Sequence, residues 1–141
     1  MSTSAAALPE HAVLAGKVRA LSWAAQLVAA AILAQTLFFK FSGAAEAKAI
    51  FEPLGVEPWG RIGLGVVELI TVLLMLVPRT AALGGAVAVG LMLGAIGSHL
   101  TVLGIEHEGD GGLLFVMAWI TLIAGAAVTW VRRHDLSRLR P

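Results

Sequence analysis

The chain contains no cysteine, which removes disulfides, thiolate nucleophiles, iron–sulfur ligation and Cys-ligated zinc from consideration. Redox chemistry in such a chain needs a bound cofactor or a partner protein. Charge is scarce too: 13% of the 141 residues are charged, where a soluble domain carries about a quarter. Ten Lys and Arg against nine Asp and Glu leave a net charge of +1, so there is neither a basic surface for nucleic acid nor an acidic tail. Walker, dinucleotide-fingerprint, Gly-x-Ser-x-Gly and Ser-His-Asp patterns are missing as well. What the chain has in excess is apolar. Hydrophobic residues make up 58% of it, which excludes an ordinary water-soluble globule and directs the search for function into a membrane.

A helix crosses the ~30 Å hydrocarbon layer with about 20 largely apolar residues. Four stretches qualify, at about 20–39, 59–77, 81–103 and 113–131. The predicted fold is all-α, a transmembrane four-helix bundle forming a single integral membrane domain over 1–141. The first run is longer than a signal-peptide core of about 7–15 residues and reads as a retained helix. Seven of the ten basic residues, Lys17, Arg19, Arg79, Arg132, Arg133, Arg138 and Arg140, fall on the side that holds both termini. The positive-inside rule makes that side cytoplasmic and implies a multi-pass protein of the inner (cytoplasmic) membrane. Trp23 and Trp130 fall near the inner interface and Trp59 near the outer one, in agreement.

Pro78, Arg79 and Thr80 alone join the second and third spans, which therefore form a tight antiparallel hairpin. In the first loop Ser42 is placed to cap a short helix that Pro53 ends, with Phe51, Leu54 and Val56 giving it an apolar side that could dip into the headgroups or lid the bundle. Helices in lipid associate through small side chains. Ala86, Gly90, Gly94 and Ser98 recur every four residues on the third span and are read as a helix-packing ridge, first for contacts within the bundle and second for a homo-oligomeric seam.

Glu68 is the most informative residue, because an ionised carboxylate at mid-bilayer costs on the order of 3 kcal/mol or more unless it finds a partner. Helix side chains lean toward the N-terminus of their helix. Glu68 therefore leans outward, and Lys40, at the outer end of the antiparallel first span, leans inward to meet it. Arg61 shares the face of Glu68 but leans away and ranks second. Depth bookkeeping brings Gln35 to within about a turn of the carboxylate, while hairpin register sets His99 well above it. The reading is a polar pocket in the outer half of the bundle with Glu68 as its floor and Lys40, Arg61, Gln35 and His99 around it; a structural ion pair is the alternative. The loop Gly104-Ile-Glu-His-Glu-Gly-Asp-Gly-Gly has no EF-hand or zincin spacing, and no metal site is assigned to it.

The stretch Gly60-Arg-Ile-Gly-Leu-Gly-Val-Val-Glu-Leu, the hairpin closing at Pro78-Arg79, and Leu91-Met-Leu-Gly-Ala followed by His99 resemble the DoxX and DoxX-like family of small membrane proteins. The likeness covers roughly Gln35 to Arg132, with Arg61, Gly65 and Glu68 as its motif positions. It implies a four-helix membrane domain and, from the subunit that names the family, a link to quinone-dependent thiosulfate oxidation; other members are linked to oxidative-stress assemblies. The leading expectation is a pocket for a small lipophilic molecule, a quinone first among candidates, with electrons supplied by a redox partner. The rival is a non-enzymatic accessory or scaffolding subunit of a larger membrane complex.

Overall fold

The computed structural model describes residues 7–139, and no strand occurs among them. Helix α1 runs Glu10–Ser42, α2 Ala45–Phe51, α3 Trp59–Leu76, α4 Ala81–Ser98 and α5 Leu113–Arg132; a π-helical turn, His99–Leu103, prolongs α4, and a 3-10 stretch, Arg133–Leu139, follows α5. The chain is an all-α bundle, and α1, α3, α4 with its π turn, and α5 are each long and apolar enough to cross a membrane. They form a ring in which α1 and α4 each pack between α3 and α5 and scarcely touch one another across the diagonal.

Local chemistry explains the breaks. Gly43 sits in the left-handed region (φ 67°) that ends α1, with the N–H groups of Gly43 and Ala44 both returning to Phe39 O, the kind of closure a glycine permits at little cost. Ser42 does not cap the short helix: it belongs to α1 and its hydroxyl donates back to Phe39 O. Helix α2 starts at Ala45 without a side-chain cap and stops before Pro53. The hairpin closes where Thr80 Oγ1 donates to Leu74 O at 2.9 Å.

Small residues mark the tightest crossings, but the expected ridge does not make them. A Cβ on Gly85 would lie 2.6 Å from Gly125 O, and one on Gly84 would lie 2.8 Å from Met75 N; Gly84 and Gly85 are buried, with Ala81 and Ala88 on the same face. Ala86, Gly90 and Gly94 are exposed, and among the described residues nothing lies within 4 Å of where Cβ atoms on Gly90 and Gly94 would stand. Packing within the bundle thus runs through a face one residue, about 100°, away from the predicted ridge. The four-residue spacing is identical on both faces, so periodicity alone cannot choose between them.

A polar tie closes the hairpin end of the bundle. Gln26 Nε2 donates to Met75 O at 2.6 Å, Ser22 Oγ donates to Gln26 Oε1 at 2.8 Å, and Arg132 Nε donates to Ser22 Oγ at 3.0 Å. Helices α1, α3 and α5 are joined by these bonds, all made by buried side chains, where an unmade bond would be costly.

Candidate functional site

The motif Arg61, Gly65, Glu68 is one face of α3, continued by Val72 and Met75, and every one of its positions is buried against α1 or the core. Gly65 admits the α1 backbone: a Cβ there would stand 3.0 Å from the Phe41 ring and 3.6 Å from Lys40 Cβ. That closeness brings Lys40 Nζ to 3.0 Å from Glu68 Oε2, with both side chains nearly out of reach of solvent. Lys40 Nζ also donates to Thr36 Oγ1 at 3.0 Å. The Thr36 hydroxyl stands 3.0 Å from Glu68 Oε2 and 2.8 Å from Leu33 O, and its single proton serves one of these acceptors at a time. Among the described residues Glu68 Oε1 takes no hydrogen bond, so one carboxylate oxygen is left for another donor.

Thr36, not Gln35, is the polar neighbour of the pair. Gln35 is exposed and its amide reaches Met117 Sδ at 3.3 Å, because the difference of one residue turns it about 100° away from α3. The signal for Thr36 was its position four residues before Lys40, on the same face of α1. Arg61 does not join the pocket either. It is 6% exposed, its Nε and Nη2 grip Glu57 at 2.8 to 2.9 Å, and its Nη1 donates to Lys40 O. It therefore closes the carbonyl end of α1, where a cation is favoured, and positions Lys40 from behind. Glu57, its partner, escaped the sequence reading because a loop carboxylate four residues before an arginine reads as a solvated pair.

Lys40, Thr36 and Glu68 form one wall of a cavity of about 840 Å³ between α1, α3, α4 and α5, within the range of drug-sized sites. Its other walls are apolar, with Leu33, Leu64, Leu91, Met92 and Met117 among them. Ile50, Phe51, Leu54 and Val56 roof it, so the α2 segment lids the bundle with its apolar side, Phe51 being buried. His99 enters the lining from the π turn, a local widening of the helix that often accompanies functional sites. His99 Nδ1 lies 2.7 Å from Gly104 O. A carbonyl can only accept, so Nδ1 donates to it, and Nε2 is the ring nitrogen left without a partner among the described residues. The cavity thus offers an ammonium donor, a carboxylate oxygen and an imidazole nitrogen in apolar surroundings.

In the loop between the π turn and α5, Asp110 acts on the backbone: Oδ2 accepts from Leu114 N at 3.0 Å, and Oδ1 accepts from Gly112 N at 2.8 Å and His107 N at 3.1 Å. The bond from Leu114, then those from Gly112 and His107, hold its carboxyl below the usual range against an opposing effect of burial. It serves as the turn that starts α5. No group of three or more metal-ligating side chains comes together among the described residues.

No curated protein and no solved structure matches this chain. The profile of the DoxX-like family matches residues 24–121, an interval that contains the Lys40–Glu68 pair, Gly65, Gly84 and Gly85, and the residues of the cavity wall. Since that match spans well over half of the 141 residues, the chain is a member of the DoxX-like family of multi-span membrane proteins.

Proposed function

We propose that this protein binds a small lipophilic molecule in the outer half of the bundle, with a quinone in a redox assembly as the species the chemistry fits best. The observation that carries this reading is the Lys40–Glu68 pair set in the wall of a mainly apolar cavity. A quinone head is held by a donor at one carbonyl and, once reduced, by an acceptor for the hydroxyl formed; Lys40 supplies the first, and Glu68 Oε1 or His99 Nε2 the second. A flat apolar ring and tail suit the leucine and methionine walls. Without cysteine, electrons come from a partner. By the positive-inside rule the cavity opens toward the outer half of the cytoplasmic membrane.

The test is quinone titration of the protein in lipid nanodiscs, using a decyl-tailed ubiquinone as probe. Glu68→Gln keeps the shape and removes the charge that holds Lys40, so affinity is expected to fall about tenfold, the effect of losing one charge-assisted hydrogen bond. Unchanged affinity in Glu68→Gln and Lys40→Met together would sink the quinone site.

One observation favours the rival, an accessory subunit: the ridge of Ala86, Gly90 and Gly94 is left free by the bundle's own packing and suits close approach of a foreign helix. Gly90→Leu with Gly94→Leu would then abolish co-purification of that helix's owner, while Glu68→Gln would not.

A further inference from the structure

On the reading that the cavity binds a lipophilic molecule, we propose that its ligand is a long-tailed amphiphile of the bilayer, which enters head-first between α3 and α4 and leaves its tail in the lipid. The two helices are pinned at the hairpin end, where Gly84 lies against Met75. Farther from the turn they border the cavity with glycines: Gly63 on α3, and Gly90 and Gly94 on α4, all line it. All three are exposed, and at each a Cβ would meet nothing within 4 Å. Glycine in a helix interior costs about 1 kcal/mol relative to alanine, and here no neighbouring helix takes up the space. The missing side chains leave a lateral window.

The opposite holds at the end toward the headgroups. There the α2 segment roofs the cavity, with Phe51 and Ala47 buried beneath it, and Arg61 clamped to Glu57 and to Lys40 O fills the corner between α1 and α3. A water-borne ligand would have to part this roof; a lipid-borne one meets only the window. The polar groups lie along the α1 side, Lys40 with Thr36 and Glu68, across the cavity from the α4 glycines. A ligand entering past Gly90 and Gly94 therefore meets them with its head, and a cavity of about 840 Å³ holds a head and the first part of a tail, not a whole lipid.

The absence of native cysteine makes the route measurable. Ser98 lines the cavity, and Ser98→Cys places a thiol there. In proteoliposomes its labelling by N-dodecylmaleimide, dissolved in the bilayer, is compared with labelling by a sulfonated maleimide in water. The expected result is labelling by the tailed reagent, with the sulfonated one at least about tenfold slower, and a further drop of about tenfold for the tailed reagent when Gly90→Leu and Gly94→Leu are added. Gly97→Leu, which also faces open space but lies off the cavity, leaves the rate unchanged. Equal rates for the two reagents, no effect of the double leucine, or no labelling by either would overturn the window. Because labelling does not depend on the Glu68 charge, a window that passes this test while Glu68→Gln and Lys40→Met both leave quinone affinity unchanged refutes the quinone reading alone.

Discussion

A lysine and a glutamate buried together in apolar surroundings are each other's reason for being ionised. Removing one partner of such a pair costs about 3–5 kcal/mol, because the survivor stays buried without compensation. Lys40→Met should therefore lower the thermal midpoint in detergent more than the double variant Lys40→Met with Glu68→Gln, in which no lone charge remains. A double-mutant cycle on the unfolding free energy measures the difference; additive effects would mean that the pair does not couple. The pairing itself was legible in the sequence, since it follows from opposite helix directions and the lean of side chains toward each N-terminus. Gln35 and Arg61 were misplaced for distinct reasons. Depth along a helix is set by 1.5 Å per residue, but one residue also rotates the face by about 100°, and depth alone cannot separate Gln35 from Thr36. Arg61 shares the right face, and its assignment turned on a loop residue, Glu57, whose fold no periodicity reports.

At the scale of elements, two glycines on one helix make opposite predictions. Gly85→Ala would push a methyl to within 2.6 Å of Gly125 O, and neither backbone can yield without separating α4 from α5; a loss of about 1–3 kcal/mol is expected. Gly90→Ala meets open space and should be neutral or gain up to about 1 kcal/mol from helix propensity. Thermal unfolding of the two single variants decides, and a Gly90→Ala loss as large as that of Gly85→Ala would mean that α4 packs by the ridge its sequence suggests. The start of α5 offers a pH test. Asp110 holds the N–H groups of Leu114, Gly112 and His107, and its carboxyl is held below the ordinary value of 3.8, by Leu114 first. A lowered native value means that this stabilisation is complete above pH 3.8 and is lost as pH falls below it toward the native value. Asp110→Ala should cost about 1 kcal/mol at neutral pH and flatten that acid limb, read as amide exchange at residues 112–116. An acid limb identical to that of the unmutated chain would remove Asp110 from its role. None of this was legible beforehand, because an acidic glycine-rich loop has no period from which its hydrogen bonds could be read.

For the whole molecule, the four spans and the all-α class were legible because lipid allows a single chain few ways to satisfy its backbone, and long apolar helices are the commonest. The polar tie of Ser22, Gln26 and Arg132 was not, since each of its members looks alone like an ordinary interfacial residue. Both observations bear on orientation. Helix α1 has 33 residues and at 1.5 Å each is about 50 Å long, well beyond the ~30 Å hydrocarbon layer. Its C-terminal end is set by Lys40, tied to Glu68, so the surplus length projects at the other end, carrying Lys17 and Arg19. That end also holds the hairpin with Arg79 and the close of α5 with Arg132 and Arg133. The excess of positive charge and the projecting helix thus lie on one side, the side that the proposed orientation, by the positive-inside rule, assigns to the cytoplasm. Ala12→Cys and Glu106→Cys, introduced singly into a chain free of native thiols, should be labelled from opposite sides by a membrane-impermeant maleimide: Ala12→Cys only in inside-out vesicles and Glu106→Cys only in right-side-out ones. Labelling of both from the same side would break the four-span topology. A clean reversal would keep the bundle intact and place the Lys40–Glu68 cavity in the cytoplasmic leaflet, where a redox partner would have to dock from the cytosol.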